Sequence, residues 1–254
     1  IAPDIAHIRS NWIPYFVNKG ALAELDNVID SNNIEDREEK GDLELGKFNG
    51  NRYALAWTIA PMVLFINKAV LSKAGINSIP INIEQLEIIS EKIFLKTGAN
   101  GFGIPIGIKE LSSYYLTLLI KLKKGNFLRK NGEVTIDSKS TIRAFKWLKK
   151  MVGENKFKLF EDINEISKSF GSNKLGLMFD VPPGLGRLKR SKMDFSELEL
   201  STIPLGKHGF SKSWVTNQSL SIFKQSENKD LAGKLIEYIT EDIEVVERIY
   251  EKEG

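Results

Sequence analysis

The stretch A-L-A-W-T-I-A-P-M-V-L-F-I, Ala54 to Ile66, is the longest nearly all-apolar run of the chain, with a proline near its middle. It admits four readings: a membrane span, a buried helix, one long strand, or two strands joined at Pro61. A bilayer-spanning helix needs about 20 apolar residues, and this run has thirteen, interrupted by Thr58 and Pro61. A helix is disfavoured because the run is rich in Trp, Thr, Ile, Val and Phe, and the proline would break it. A single strand is disfavoured because Pro61 cannot donate to a ladder. The expected outcome is two short strands, R-Y-A-L-A-W-T-I and M-V-L-F-I-N, separated at Ala60-Pro61.

Upstream, N-G-N at 49–51 signals a turn, and the charged stretch I-E-D-R-E-E-K-G-D-L-E-L from Ile34 to Leu45 reads as a solvated loop or surface helix. P-D-I-A-H-I reads as a strand, Arg9-Ser10-Asn11 as a polar turn, and W-I-P-Y-F-V-N-K as a short helix stopped by Gly20. Downstream, A-V-L-S-K-A-G-I is a short helix closed by Gly75. Asn82 can cap the next helix with Gln85 three residues on, and Leu86, Ile89 and Ile93 recur at helical spacing. T-G-A-N-G-F-G ends that helix, I-P-I-G reads as a buried strand, and Y-Y-L-T-L-L-I-K-L as a helix. After an Asn131-Gly132 loop come a short strand E-V-T-I and a helix starting at Asp137 or Ser138, with Ile142, Phe145, Leu148 and Val152 on its face. I-S-K-S-F is a helix end, K-L-G-L-M-F a strand, D-V-P-P-G-L-G-R a loop, and L-E-L-S-T-I-P-L and S-L-S-I-F strands. Asp230 to Thr240 is a helix facing inward with Leu231, Leu235, Tyr238 and Ile239. Helices alternate with strands, so the fold class is α/β.

Composition removes several functions. The chain has 254 residues, 42% of them hydrophobic, enough for a sizeable core. Lys and Arg number 36 against 33 Asp and Glu, a net charge of +3 with basic residues spread along the sequence, which argues against a nucleic-acid partner. No cysteine and only His7 and His208 leave no material for a zinc site, an iron-sulfur cluster or a thiol nucleophile, so no metal or cofactor is expected. No Ser-His-Asp order and no carboxylate pair of the glycosidase kind stands out. G-L-G-R-L-K-R lacks phosphate-loop spacing and reads as a loop turn. The basic stretch K-L-K-K-G-N-F-L-R-K reads as a solvated helix end, with contact to an anionic surface as its other reading. The opening I-A-P-D-I-A-H-I shows no signal-peptide pattern.

Six stretches in order then carry a resemblance. They are A-P-D-I with W-I-P-Y-F-V-N-K-G-A-L-A-E-L-D; F-N-G-N-R-Y-A-L-A-W-T-I-A-P-M-V-L-F-I-N-K-A-V-L-S-K-A-G-I; P-I-N-I-E-Q-L-E-I-I-S-E-K-I; N-G-E-V-T-I-D-S-K-S-T-I-R-A-F-K-W-L-K-K; F-G-S-N-K-L-G-L-M-F-D-V-P-P-G; and S-L-S-I-F-K-Q-S-E-N-K-D-L-A-G-K-L-I-E-Y-I-T. Together they resemble the extracellular solute-binding proteins of ABC importers, the maltose- and oligosaccharide-binding branch. The resemblance implies a two-lobed periplasmic-binding-protein-like fold with its N-terminal lobe, 1–59 plus 218–254, incomplete, and a C-terminal lobe over 62–212. Chain crossings would fall at Thr58 to Met62 and at about Ser211 to Asn217. It also implies a monomeric, non-enzymatic receptor outside the cytoplasm, anchored through a segment not in this sequence, that delivers a small-molecule solute, an oligosaccharide, to a membrane permease. Relatives start with an earlier strand and helix, and maltose-binding members carry a carboxylate where this chain has Ala60, which argues against a maltose-like hydrogen-bond pattern. A non-sugar solute such as a phosphorylated polyol or an ion is the alternative; a sugar-modifying α/β enzyme is a more distant one.

A sugar offers apolar C–H faces and a rim of hydroxyls, so its site needs flat aromatics and short polar side chains. The candidates at the implied loops and crossings are Asn11, Trp12, Trp57, Tyr114, Asp180, Trp214 and Asn217. Each has a packing alternative: Trp57 as core, Trp12 as a helix staple, Tyr114 in competition with Tyr115, and Asp180 as a cap of the following turn. Trp147, inside a helix, is expected to pack.

Overall fold

A computed structural model describes residues 3–29, 45–107, 110–129, 131–191, 193–206, 209, 213–241, 244, 245 and 248. Most of the charged stretch, His208, and Ser211 and Lys212 of the expected return crossing lie outside these residues. The chain divides into two compact units, 1–60 with 215–254 and 61–214.

In the first unit, strands β1 (Ile5–Arg9), β10 (Val215–Ile222) and β4 (Leu55–Pro61) form a sheet in the order β1-β10-β4. β1 and β10 run antiparallel, with Ile5 opposite Ile222 and Arg9 opposite Gln218. After β1 comes a single 3-10 turn, Ser10–Trp12, and then helix α1 (Ile13–Asn18), which ends before Gly20 at φ 65°. The N-G-N turn is present: Asn49 (φ 53°) and Gly50 (φ 89°) take the left-handed conformations that close the short hairpin β2 (Lys47–Phe48) and β3 (Asn51–Arg52). One cluster packs Ile8, Ile13, Leu22 and Ala54, another Leu25, Ile29, Leu55, Leu220 and Ile222.

The opening run resolves into β4 and β5 (Val63–Asn67), which belong to different sheets, with Met62 alone between them. The expected break at Ala60-Pro61 therefore moves by one residue. Pro61 ends a strand at the sheet's edge, where a missing N–H costs no ladder bond. Met62 is fully buried and its N–H donates to the carbonyl of Trp214 at 2.7 Å.

In the second unit five strands lie in the order β7-β6-β8-β5-β9: β7 (Phe157–Phe160), β6 (Asn100–Pro105), β8 (Leu175–Asp180), β5 and β9 (Leu198–Ser201). β6 is parallel to β7 and β8, while β5 is antiparallel to β8 and β9. Asn67 caps helix α2 (Lys68–Lys73) by accepting from the Val70 N–H, and its own amide donates to the Phe170 carbonyl and to Asn173. That explains why an amide sits fully buried there. Helix α3 (Ile83–Thr97) carries the expected cap, with Asn82 accepting from Gln85 N–H at 2.8 Å and the Gln85 side chain accepting from Ile81 N–H at 3.0 Å. Leu86, Ile89 and Ile93 are buried.

Several sequence expectations change. N-G-F-G is not a loop but the first part of β6: α3 lies so close that a Cβ on Gly101 would come within 2.3 Å of the Ser90 carbonyl oxygen. E-V-T-I forms one bridge, Leu128 to Val134, rather than a strand. F-K-L-F, not anticipated, is β7. D-V-P-P-G-L-G-R is a 3-10 turn (Pro182–Gly184) leading into helix α7 (Leu185–Arg190), since proline is tolerated in a first turn. Helix α5 (Lys139–Gly153) buries Thr141, Ala144 and Met151 and leaves Ile142 exposed, because the Thr141 hydroxyl is bound to the Asn126 backbone at 2.8 Å and fixes the helix's rotation. Helix α8 (Lys229–Glu241) buries Ala232 and Ile236 while Leu231, Leu235 and Tyr238 are exposed. Gly233 touches the segment at Val28, where a Cβ would fall 2.7 Å from the Val28 carbonyl oxygen, so the small-residue side is the one that can face inward.

Candidate functional site

Two groups of the expected residues come together, one in each unit. In the second unit the site is built at the carboxyl end of β8, beside its pairing with the start of β5, where Asp180 lies opposite Val63. Strand ends of this kind, with helices following them, are where α/β sheets hold ligands.

Asp180 is fully buried. Both carboxylate oxygens accept from Nη2 of Arg187 at 2.6 Å, and Oδ1 also accepts from the Val181 N–H at 2.8 Å. Gly184 makes this possible: a Cβ there would lie 2.3 Å from Asp180 Oδ2 and 2.9 Å from Arg187 Nη2, so only glycine lets the first turn of α7 pass over the pair. Burial pushes the Asp180 carboxyl up, opposed by Arg187 and by the Val181 N–H. The expectation of Asp180 as a rim contact is thus changed by its surroundings, since its oxygens are engaged inside the protein. Arg187, in the stretch read as a loop turn, is the residue that sequence reasoning missed; a basic side chain seven positions after a strand-end carboxylate was the available signal. Tyr115 is fully buried with its hydroxyl unpartnered among the described residues, and burial, then Asp180, hold its phenol well above the usual range.

Between the two adjacent tyrosines of helix α4 (Glu110–Leu122), Tyr115 takes the core position and Tyr114 is half-buried. Tyr114 stacks on Trp214, with ring centroids 4.6 Å apart and planes 20° from parallel. Both rings pack against the main core, and Trp214 is fixed through its carbonyl on Met62. An aromatic pair held in this way is a rigid apolar platform, assembled from residues one hundred positions apart.

In the first unit Asn217 lies inside β10, not in a loop, and is only 9% exposed. Its Oδ1 accepts from the Ser10 hydroxyl, which also lies 3.1 Å from the Ser219 hydroxyl, while its Nδ2 has no partner among the described residues. Ser10, Asn11 and Trp12 share one 3-10 turn, which holds the Ser10 hydroxyl on Asn217. Trp12 is 54% exposed and borders a recess of about 450 Å³ with Arg9, Phe16, Gln218 and Phe223. Trp57 takes its packing alternative: it lies in β4, half-buried against the cluster of Leu25, Leu55 and Ile222. Trp147 packs as expected, its Nε1 donating to Glu87 at 2.7 Å and its ring edge-on to Phe157. Among the described residues no group of His, Asp and Glu side chains could hold a metal ion, and no helix is long and apolar enough to cross a membrane.

Residues 2–244 match the family of bacterial extracellular solute-binding proteins. A binding protein of Brucella abortus (strain 2308) is 24% identical over 243 residues, 93% of this chain and 58% of that protein. The arabinooligosaccharide-binding protein of Bacillus subtilis (strain 168) is 27% identical over 158 residues, 60% of this chain and 34% of that one. Among solved structures, the GacH receptor of Streptomyces glaucescens GLA.O, studied unliganded and with acarbose, superposes with a TM-score of 0.85 at 25% identity, over 99% of this chain and 64% of that one. The α/β fold is therefore that of the solute-binding proteins, and the chain spans less than two thirds of the length of these relatives.

Proposed function

We propose, from the premise that this chain belongs to the bacterial extracellular solute-binding protein family, that it is the binding portion of a receptor for a neutral polyhydroxylated solute, an oligosaccharide. It binds without chemistry and supplies the solute to the permease of an ABC importer. The stacked Tyr114–Trp214 pair carries this reading, because a platform of two fixed rings suits the apolar face of a sugar ring. The Asn217 amide, buried with a donor that no described residue engages, suits a ligand hydroxyl. The cation at the end of β8 is already compensated by Asp180, which favours a neutral solute over the phosphorylated polyol or ion. The names of the relatives, one binding arabinooligosaccharide and one studied with acarbose, point the same way. The receptor acts as a monomer outside the cytoplasm, held at the membrane by an anchor beyond the residues of this chain.

Calorimetry against arabino- and malto-oligosaccharides, polyols and inorganic phosphate tests it. We expect binding of an oligosaccharide with a change in tryptophan fluorescence, and none of phosphate. Trp214→Ala and Asn217→Ala should each weaken binding about tenfold or more. An absence of binding to every sugar, or sugar binding indifferent to both substitutions, would sink the proposal.

A further inference from the structure

Residues 121–150 carry ten Lys and Arg against two acids, Glu133 and Asp137, a net charge of +8 in a chain whose total is +3. The positive charge is therefore concentrated in one segment, although basic residues occur throughout the sequence. Helix α5 explains where it goes. With Thr141, Ala144 and Met151 turned inward, Lys139, Arg143, Lys146 and Lys150 recur at helical spacing along the opposite face, all exposed. Among the described residues Lys139, Arg143 and Lys146 form no ion pair, and Lys150 reaches only Glu154, at 3.7 Å.

The hairpin that precedes α5 exposes apolar side chains. Leu128 and Val134 are bridge partners, so their side chains share a face of the hairpin, and Ile136 two residues on continues it. They are 54%, 64% and 52% exposed, and Ile142 on α5 is exposed as well. The hairpin is fixed to the helix: Asn126 N–H donates to the Thr141 hydroxyl at 3.0 Å, and the Thr135 and Thr141 hydroxyls both donate to the Asn126 carbonyl. Hairpin and helix are thus parts of one ordered surface region, apolar on the exposed hairpin side chains and cationic on the helix.

We propose that this surface docks on an anionic phospholipid bilayer, with the α5 cations against the headgroup phosphates and Leu128, Val134 and Ile136 at the acyl boundary. Charge complementarity selects an anionic partner. The branched apolar side chains select lipid over nucleic acid, whose single strands need stacking platforms: the aromatic residues here, Phe127, Phe145 and Trp147, are half-buried, with Phe127 and Phe145 against each other. The inference does not depend on which solute is bound.

Vesicle flotation of the whole chain is the test. Vesicles of phosphatidylcholine with phosphatidylglycerol should carry the protein at low salt, and phosphatidylcholine alone should not. Lys139→Glu with Arg143→Glu and Lys146→Glu should lower partitioning by about a hundredfold or more. Leu128→Ser with Val134→Ser and Ile136→Ser should lower it about tenfold at unchanged charge. All six side chains are exposed, so circular dichroism and melting should match the parent. Failure to float on the anionic vesicles, or flotation unchanged by the charge reversal, overturns the proposal. If the serine variant partitions like the parent while duplex DNA displaces both, the surface is a general polyanion site and the lipid assignment falls.

Discussion

Arg187 is the residue on which the second unit's candidate site depends. It compensates a carboxylate that is wholly inside the protein. Removing one partner of a buried pair leaves the other uncompensated, so Arg187→Met should destabilise the unit by about 3 kcal/mol at neutral pH. The sign of the pH dependence follows from the raised Asp180 pKa. Without Arg187 it rises further above the unfolded value, folding then requires proton uptake, and that cost disappears as pH falls toward the unfolded carboxylate range. Melting of both proteins from neutral to acid pH should show the gap narrowing; a constant gap would mean that Asp180 stays ionised without its partner. The sequence exposed part of this site. Trp214 stood out because a tryptophan in S-K-S-W-V-T-N-Q-S has little local apolar company. The burial of Asp180 was not legible, because it depends on Gly184 admitting a helix turn that the double proline masks. Trp57 was legible as a strand residue but not by face, which its neighbours in space decide.

At the scale of elements, starts and stops were readable where a side chain or a positive φ makes them. Asn82 and Ser138 cap their helices, and Gly20, Gly75 and Gly98 terminate theirs. Rotation about a helix axis was less readable: α8 turns a different side inward from the one its largest apolar residues suggest, and α5 packs Leu148 and Val152 on the core but leaves Ile142 outside. Close approach outweighed hydrophobic count in α8, and in α5 the bound Thr141 hydroxyl left only Ile142 of the expected face outside. The same close approach is why glycines stand inside β6. Gly101→Ala must push α3 off the sheet, since the new methyl group would meet the Ser90 backbone, and should cost about 2 kcal/mol or more by denaturant titration. Gly132→Ala tests a different cause: its φ of 82° strains any side chain, yet nothing lies within 4 Å, so the loss should be about 1 kcal/mol. Equal losses at the two positions would contradict the packing account of β6.

For the whole molecule the decisive fact is the run that opened the reading. The chain leaves its first unit at Ala60, completes the second as one continuous segment, and returns at Val215. Membership of the solute-binding family was legible because several weak stretches occur in one order, whereas the identity of a solute depends on side chains drawn from distant parts of the chain. The discontinuity also dictates an order of events. β1 cannot pair until β10 exists, with Ile5 matched to Ile222; closing so long a loop in an open chain costs about 5 kcal/mol. The second unit needs no such closure, and once folded it shortens the gap that β1 and β10 must span. In refolding followed by pulsed hydrogen exchange, amides of β5, β6 and β8 should gain protection before those of β1 and β10, and simultaneous protection would refute the order. During synthesis at roughly 5–20 residues per second, β1 waits unpaired for roughly 10–40 s while the intervening residues are made. The first unit is thus the last to become rigid, and for that interval its strands are open to whatever handles nascent chains.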